Sequence, residues 1–177
     1  MGTENKYVIR ILKTHDQLVE GIEQVATKLN KKFVKKEVVL ITVMNGGLPF
    51  SAELMKHLNF DLRMDFIWAS SYHLEEKVFE PKITYISQVL IKGKDIIIAD
   101  DLVDSGQTMI HICKVIEAYK PNSITIVGLY GKPTREKIAY DQIYCWEEQP
   151  GGFLLGFGLD YDGMYRNLPY LAIMRED

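Results

Sequence analysis

The stretch IIIADDLVDSGQT, residues 96–108, decides how the rest of the chain is read. Residues 96–99 form an apolar run without alternation, the pattern of a strand buried on both faces. Residues 100–107 follow as a polar loop, and 108–120 as a helix stopped by Pro121. A further strand, 124–130, comes directly after. Upstream the same arrangement occurs: 38–44 is β-branched and apolar, Asn45-Gly46-Gly47 breaks it, and Pro49 begins a helix ending near Leu58. Thr14-His15-Asp16-Gln17 has the form of a capping box, after which Leu18, Ile22, Val25 and Leu29 recur at helical spacing, predicting a helix over 15–30. Less regular strands are expected at 65–69, 83–86, 143–146 and 171–174. Strands alternating with helices favour an α/β fold with a mostly parallel central sheet over an antiparallel sandwich.

The composition agrees with one folded unit. A chain of 177 residues with 47% hydrophobic and 25% charged side chains has ordinary globular values, which argues against disorder. Its formal charge of -3, from 24 acidic and 21 basic side chains, does not announce a nucleic-acid partner. No apolar run approaches the roughly 18 to 20 residues needed to span a membrane. The amino end lacks a signal-peptide pattern, and Cys113 and Cys145 read as free, packed thiols of a reducing compartment. The four histidines, at 15, 57, 73 and 111, show no metal-binding spacing. Neither an internal repeat nor a linker divides the chain, and 71–82, interrupted by polar groups and Pro81, is the mobile-loop candidate.

The chemistry centres on the acidic turn. Open α/β sheets bind ligands in the crevice at strand carboxyl ends. Gly106 allows close backbone approach there, and amides opening the following helix can receive a phosphate, with Ser105 and Thr108 adding hydroxyl donors. If strand geometry continues, Asp100 and Asp101 point to opposite sides, one toward a sugar and the other beneath the site. A hard cation such as Mg²⁺ can bridge carboxylates, hydroxyls and phosphate oxygens, so a phosphorylated sugar is a coherent ligand. The bland alternative is a solvated turn and helix cap. Neither the Walker A pattern nor GxGxxG is present, so ATP hydrolysis and hydride transfer gain no support.

As a whole, IIIADDLVDSGQT resembles the phosphoribosyl-diphosphate signature of type I phosphoribosyltransferases. Lys132-Pro133, the run FLLGFGLDYD at 153–162 and Arg166-Asn167-Leu168 narrow the resemblance to the hypoxanthine phosphoribosyltransferase family, over about residues 7–174. The resemblance implies a single type I phosphoribosyltransferase domain over 1–177, with a mostly parallel sheet flanked by helices. It also implies a small base-binding hood built mainly from the termini, including about 143–177. The implied reaction moves the 5-phosphoribosyl group from phosphoribosyl diphosphate to hypoxanthine and to guanine, releasing diphosphate, with Mg²⁺ as cofactor.

Residue by residue, the resemblance implies that Asp104 is catalytic, beside purine N7, and that Asp100 and Asp101 engage the ribose-side hydroxyl and metal network. Ser105, Gly106, Gln107 and Thr108 would bind phosphate, and Asn45, Gly46, Gly47 and Arg166 the diphosphate. Many members carry lysine at the position of Asn45, so one charge contact is lost while backbone donors remain. On the base side, Lys132 would donate to the 6-oxo group, Phe153 would stack, the Leu154 backbone would read the edge and Asp160 would lie alongside. Asp160 would also bind metal directly, with Asp100 and Asp101 contributing directly or indirectly, and Ser71 and Tyr72 would belong to the mobile loop. A cis Met44-Asn45 peptide is compatible with the resemblance but is not fixed by the residues. A homodimer or homotetramer in the cytoplasm, engaged in purine salvage and without nucleic-acid or membrane partners, is the expected setting. Preference among hypoxanthine, guanine and xanthine stays open. So do three other classes: a nucleotide-sensing regulator that kept the cradle, a pyrimidine phosphoribosyltransferase, and an acidic-pocket phosphotransfer receiver.

Overall fold

A computed structural model describes residues 7–70, 82–85, 89–133, 136–148 and 150–176. Its larger sheet has six strands in the order β4-β3-β2-β5-β6-β7. These are β2 (Glu37–Met44), β3 (Asp61–Ser70), β4 (Lys82–Thr84), β5 (Asp95–Val103), β6 (Ser123–Gly131) and β7 (Asp141–Trp146). All neighbours are parallel except β4, which runs antiparallel at one edge. A second, three-stranded antiparallel sheet has the order β1-β9-β8, joining β1 (Tyr7–Lys13) to β9 (Leu171–Glu176) and β8 (Phe153–Leu155).

The apolar runs of β2, β5 and β6 are buried because helices cover both faces of the larger sheet. Helix α1 (His15–Lys32) and α2 (Gly47–Leu54) pack on one face with Leu40, Ile97, Ala99 and Val127. Helix α3 (Gln107–Glu117) packs on the other with Ile41, Ile96, Ile98 and Ile126. The predicted capping box is present: Gln17 N–H donates to the Thr14 hydroxyl, and the Gln17 side chain accepts from Thr14 N–H. Both cysteines are free, and burial pushes each thiol up to about 12. Among the described residues, no helix is long and apolar enough to cross a membrane.

Several boundaries differ from the sequence reading. The expected polar loop 100–107 begins later, because β5 runs through the acids to Val103, paired with β6 at Asp100–Gly128, Leu102–Tyr130 and Val103–Gly131. Helix α2 starts at Gly47, two residues before Pro49; the first four helical N–H groups lack intrahelical partners, so a proline there removes no bond. It also ends earlier, at Leu54, with a 3-10 turn over Met55–His57. Helix α3 stops at Glu117, since Lys120 takes a left-handed φ of 57° before Pro121. Strand β7 pairs with β6 at the edge of the larger sheet, while β1, β8 and β9 make the smaller one.

Candidate active site

The carboxyl ends of β2 and β5 lie side by side because the two strands pair in parallel, and an open cleft of about 420 Å³ forms there. Asp100, Asp101, Asp104, Ser105, Gly106 and Thr108 line it from β5 and the start of α3. Asn45 and Gly46 line it from β2, and Asp160 and Arg166 from the segment after β8. Both neighbouring acids therefore face one cleft. Met44, Ala69, Val103 and Met109 supply apolar wall.

Glycine is required where the loops touch. At Gly46 an added Cβ would lie 1.9 Å from Asp101 Oδ2, and at Gly47 one would lie 2.8 Å from the Ala99 carbonyl oxygen. The Met44-Asn45 peptide is cis. Gly106 adopts a left-handed φ of 85° as the chain enters α3, and Gln107 N–H donates to the Ser105 hydroxyl at 3.4 Å. The Gln107 side chain turns away from the cleft, its amide donating to Glu136, so only its backbone faces the turn.

Charge in the cleft is poorly balanced at its floor. Burial, then the neighbouring Asp101 charge, holds the Asp100 carboxyl well above its ordinary range. Burial also raises Asp101, while bonding from Asp100 and Leu102 N–H and the positive charge of Arg166 pull it back. Arg166 forks: Nη2 pairs with Asp160 Oδ1 at 2.7 Å and Nη1 donates to the Gly158 carbonyl at 2.7 Å. Gly158 returns a bond through its N–H to the Arg166 carbonyl at 3.0 Å. Its Cα rests on the Gly46 backbone, where a Cβ would meet the carbonyl oxygen at 2.1 Å, so the Arg166 segment and the glycine loop touch directly.

Lys132 follows β6, and its N–H donates to the Val103 carbonyl at 2.9 Å, tying the ends of β5 and β6 together. That places its ammonium 2.8 Å from Asp104 Oδ1. Phe153, the first residue of β8, is 49% exposed and meets Tyr161 edge to face at 5.5 Å. The Leu154 side chain is buried in the core, leaving its backbone on an outer strand. Ser71 and Tyr72 lie outside the described residues.

Two features escaped the sequence reading. One is the Gly46–Gly158 contact, which no local pattern encodes. The other is a tight hairpin in which Tyr161 and Met164 exchange backbone bonds around Asp162 and Gly163, at φ 51° and 75°. The Asp-Gly dipeptide was the available signal.

The chain that carries this cleft is similar to known proteins. The phosphoribosyl transferase domain family matches residues 9–162. The hypoxanthine-guanine phosphoribosyltransferase of Streptococcus pyogenes is 34% identical over 169 residues, 95% of this chain and 94% of that one. The chain belongs to the hypoxanthine-guanine phosphoribosyltransferase family.

Solved structures of this family share the fold. A hypoxanthine phosphoribosyltransferase from Staphylococcus aureus superposes with a TM-score of 0.85 at 29% identity, covering 94% of this chain and 91% of that one. The hypoxanthine phosphoribosyltransferase of Trypanosoma cruzi, solved with its product IMP, gives 0.83 at 27% identity over 99% and 98%. The type I phosphoribosyltransferase fold, with its smaller hood sheet, is thus the architecture of this chain.

Proposed function

We propose that this chain transfers the 5-phosphoribosyl group of phosphoribosyl diphosphate to hypoxanthine and guanine, forming the nucleoside monophosphate and diphosphate. The observation carrying the reading is the Asp104–Lys132 pair, 2.8 Å apart at the edge of a cleft whose other walls suit phosphate. A 6-oxopurine offers an N–H or lone pair at N7 and an acceptor at O6 on one edge, complementary to a carboxylate beside an ammonium. Adenine offers an amino donor against the ammonium, so it is disfavoured.

In this mechanism the amides opening α3, with Ser105 and Thr108, hold the 5-phosphate, while Asp100 and Asp101 orient the ribose hydroxyls. As the C1–oxygen bond to diphosphate breaks and the bond from purine N9 to C1 forms, positive charge grows on the ribose and is favoured by the acidic floor. Arg166 and the Asn45–Gly47 backbone receive the departing diphosphate, and Asp104 accepts or holds the proton at purine N7. Phe153 stacks on the base and the Leu154 backbone reads its edge.

Asp100, Asp101 and Asp160 fit a metal ion that arrives with its substrate. The described residues contain no cluster of three protein ligands, yet Mg²⁺ commonly takes one or two carboxylates plus phosphate oxygens and water. The mutual repulsion of Asp100 and Asp101 is what such a cation relieves. When bound, Mg²⁺ supplies charge neutralisation at the diphosphate oxygens. A homodimer or homotetramer and a cytoplasmic salvage role belong to the same reading, and sedimentation velocity reads the assembly.

The test is formation of diphosphate and nucleoside monophosphate from phosphoribosyl diphosphate with hypoxanthine or guanine, with and without Mg²⁺. Turnover that requires both base and Mg²⁺ is expected, and absence of base-dependent turnover for both purines in folded, Mg²⁺-replete protein would overturn the reading. Lys132→Ala should lower kcat/KM for hypoxanthine by about 10- to 100-fold, the loss of one bond to a charged donor. Equal damage to phosphoribosyl-diphosphate affinity would remove Lys132 from its role.

A further inference from the structure

The half-exposed ring that receives the base has its own support. Phe153 opens a strand of only three residues whose other two members are buried, so the core does not enclose its ring. What it does meet is Tyr161, at 5.5 Å between centroids and 77° between planes. This edge-to-face geometry suits the aromatic quadrupole and restrains how a partner ring can tilt.

Tyr161 is itself well placed to act as a stop. Its N–H donates to the Met164 carbonyl at 3.2 Å and its carbonyl accepts from Met164 N–H at 3.1 Å. The intervening Asp162-Gly163 turn holds both residues at positive φ, which matches a two-residue hairpin. Gly163 N–H further donates to Asp160 Oδ2 at 2.8 Å, and Asp160 Oδ1 pairs with Arg166. The hairpin is thereby fastened to the cleft wall, and Tyr161 carries that fixed position to Phe153.

We propose that Tyr161 is a positioning residue for the purine, holding the Phe153 ring in the plane on which the base stacks. The inference rests on the functional reading above, in which Phe153 receives the base. The Tyr161 ring narrows the tilts open to Phe153, and without it a base docking there must restrict more of that motion. The effect belongs to base binding, because neither ring lines the acid-floored cleft where the sugar and diphosphate are expected.

Steady-state kinetics on Tyr161→Ala and Tyr161→Phe, with thermal unfolding of each, tests this. Tyr161→Ala should raise KM for hypoxanthine by about three- to tenfold, the worth of one aromatic pair, while KM for phosphoribosyl diphosphate moves by less than about twofold. Tyr161→Phe should restore the wild-type hypoxanthine KM, since it keeps the ring and loses only the hydroxyl. A purely structural hairpin would instead shift both KM values and the unfolding midpoint together. Equal shifts for both substrates, no shift, or failure of Tyr161→Phe to restore the KM would overturn the proposal. If Tyr161→Ala does not fold, Tyr161→Leu, which keeps bulk without a ring, must show the same split. Wild-type protein inactive on both purines would refute the functional reading itself, whereas active wild type with an indifferent Tyr161→Ala refutes only this inference.

Discussion

Asp100 and Asp101 are adjacent carboxyls set at a strand end where burial and mutual repulsion disfavour ionisation. Such a pair weakens the free protein and suits one whose ligands bring positive charge and hydroxyl donors. Asp100→Asn keeps an oxygen to accept the Asp101 N–H, now 2.9 Å away, and removes the repulsion. The variant should gain about 1 kcal/mol at pH 7, an unfolding midpoint higher by about 2–4 °C, while kcat/KM for phosphoribosyl diphosphate falls. Scanning calorimetry reads the first and initial rates the second; a lowered midpoint would show that the acid stabilises the free fold. At this scale the sequence was readable because one short string, residues 96–108, carries both the strand and its acids. Gln107 shows the limit, since a side chain's direction at the first turn of a helix depends on a partner, Glu136, that sequence spacing does not place.

Elements were legible in proportion to their length and burial. Helix α1 announces itself through its cap and its buried stripe of Leu18, Ile22, Val25 and Leu29. Strand β1 does not, because Ile9 and Ile11, its regular apolar positions, are 45% and 52% exposed rather than facing a core. Strand β8 is three residues long, too short for a period, and is defined instead by pairing with β9. Its end is set by Gly156, at φ 91°, where a Cβ would lie 2.2 Å from the Tyr170 carbonyl oxygen. Gly156→Ala combines left-handed strain with displacement of that backbone and should cost at least about 2 kcal/mol. Gly163→Ala shares the positive φ, 75°, but a Cβ there meets nothing within 4 Å. It should cost about 1 kcal/mol. Urea unfolding of the two variants separates strain from collision, and equal losses would show that the Tyr170 contact yields easily.

At the scale of the molecule, alternation of strand and helix predicts the larger sheet, whereas of the smaller one the residues announce only the strand at 171–174, and its pairing with β1 and β8 leaves no local trace. Its attachment is a mixed aromatic and charged network. Tyr130, fully buried on β6, stacks on Trp146 with centroids 5.6 Å apart and donates its hydroxyl to Glu148. Lys13, at the end of β1, pairs with Glu148 at 3.3 Å and lies 4.9 Å over the Trp146 ring. Trp146 in turn packs where α1 offers Gly21, at which a Cβ would come within 2.8 Å of the indole. The hydrogen bond from Tyr130 is the largest influence on the Glu148 carboxyl; burial opposes it, and the bond and charge of Lys13 add to it, so that together they hold the carboxyl below its ordinary range. A carboxyl depressed in the folded state stabilises above its unfolded pKa and loses that contribution as pH falls through the folded value. Because the Glu148 side chain is 51% exposed, screening limits the effect, and Glu148→Gln should cost about 0.5–1 kcal/mol at pH 7. The midpoint difference between wild type and Glu148→Gln should then narrow as pH falls below the ordinary value of 4.5, where the carboxylate of the unfolded chain takes up its proton, and vanish below the depressed folded value. Lys13→Met in both backgrounds completes the cycle: at pH 7 it should destabilise wild type more than Glu148→Gln, and equal losses would mean that β1 is held by the Trp146 ring rather than by charge.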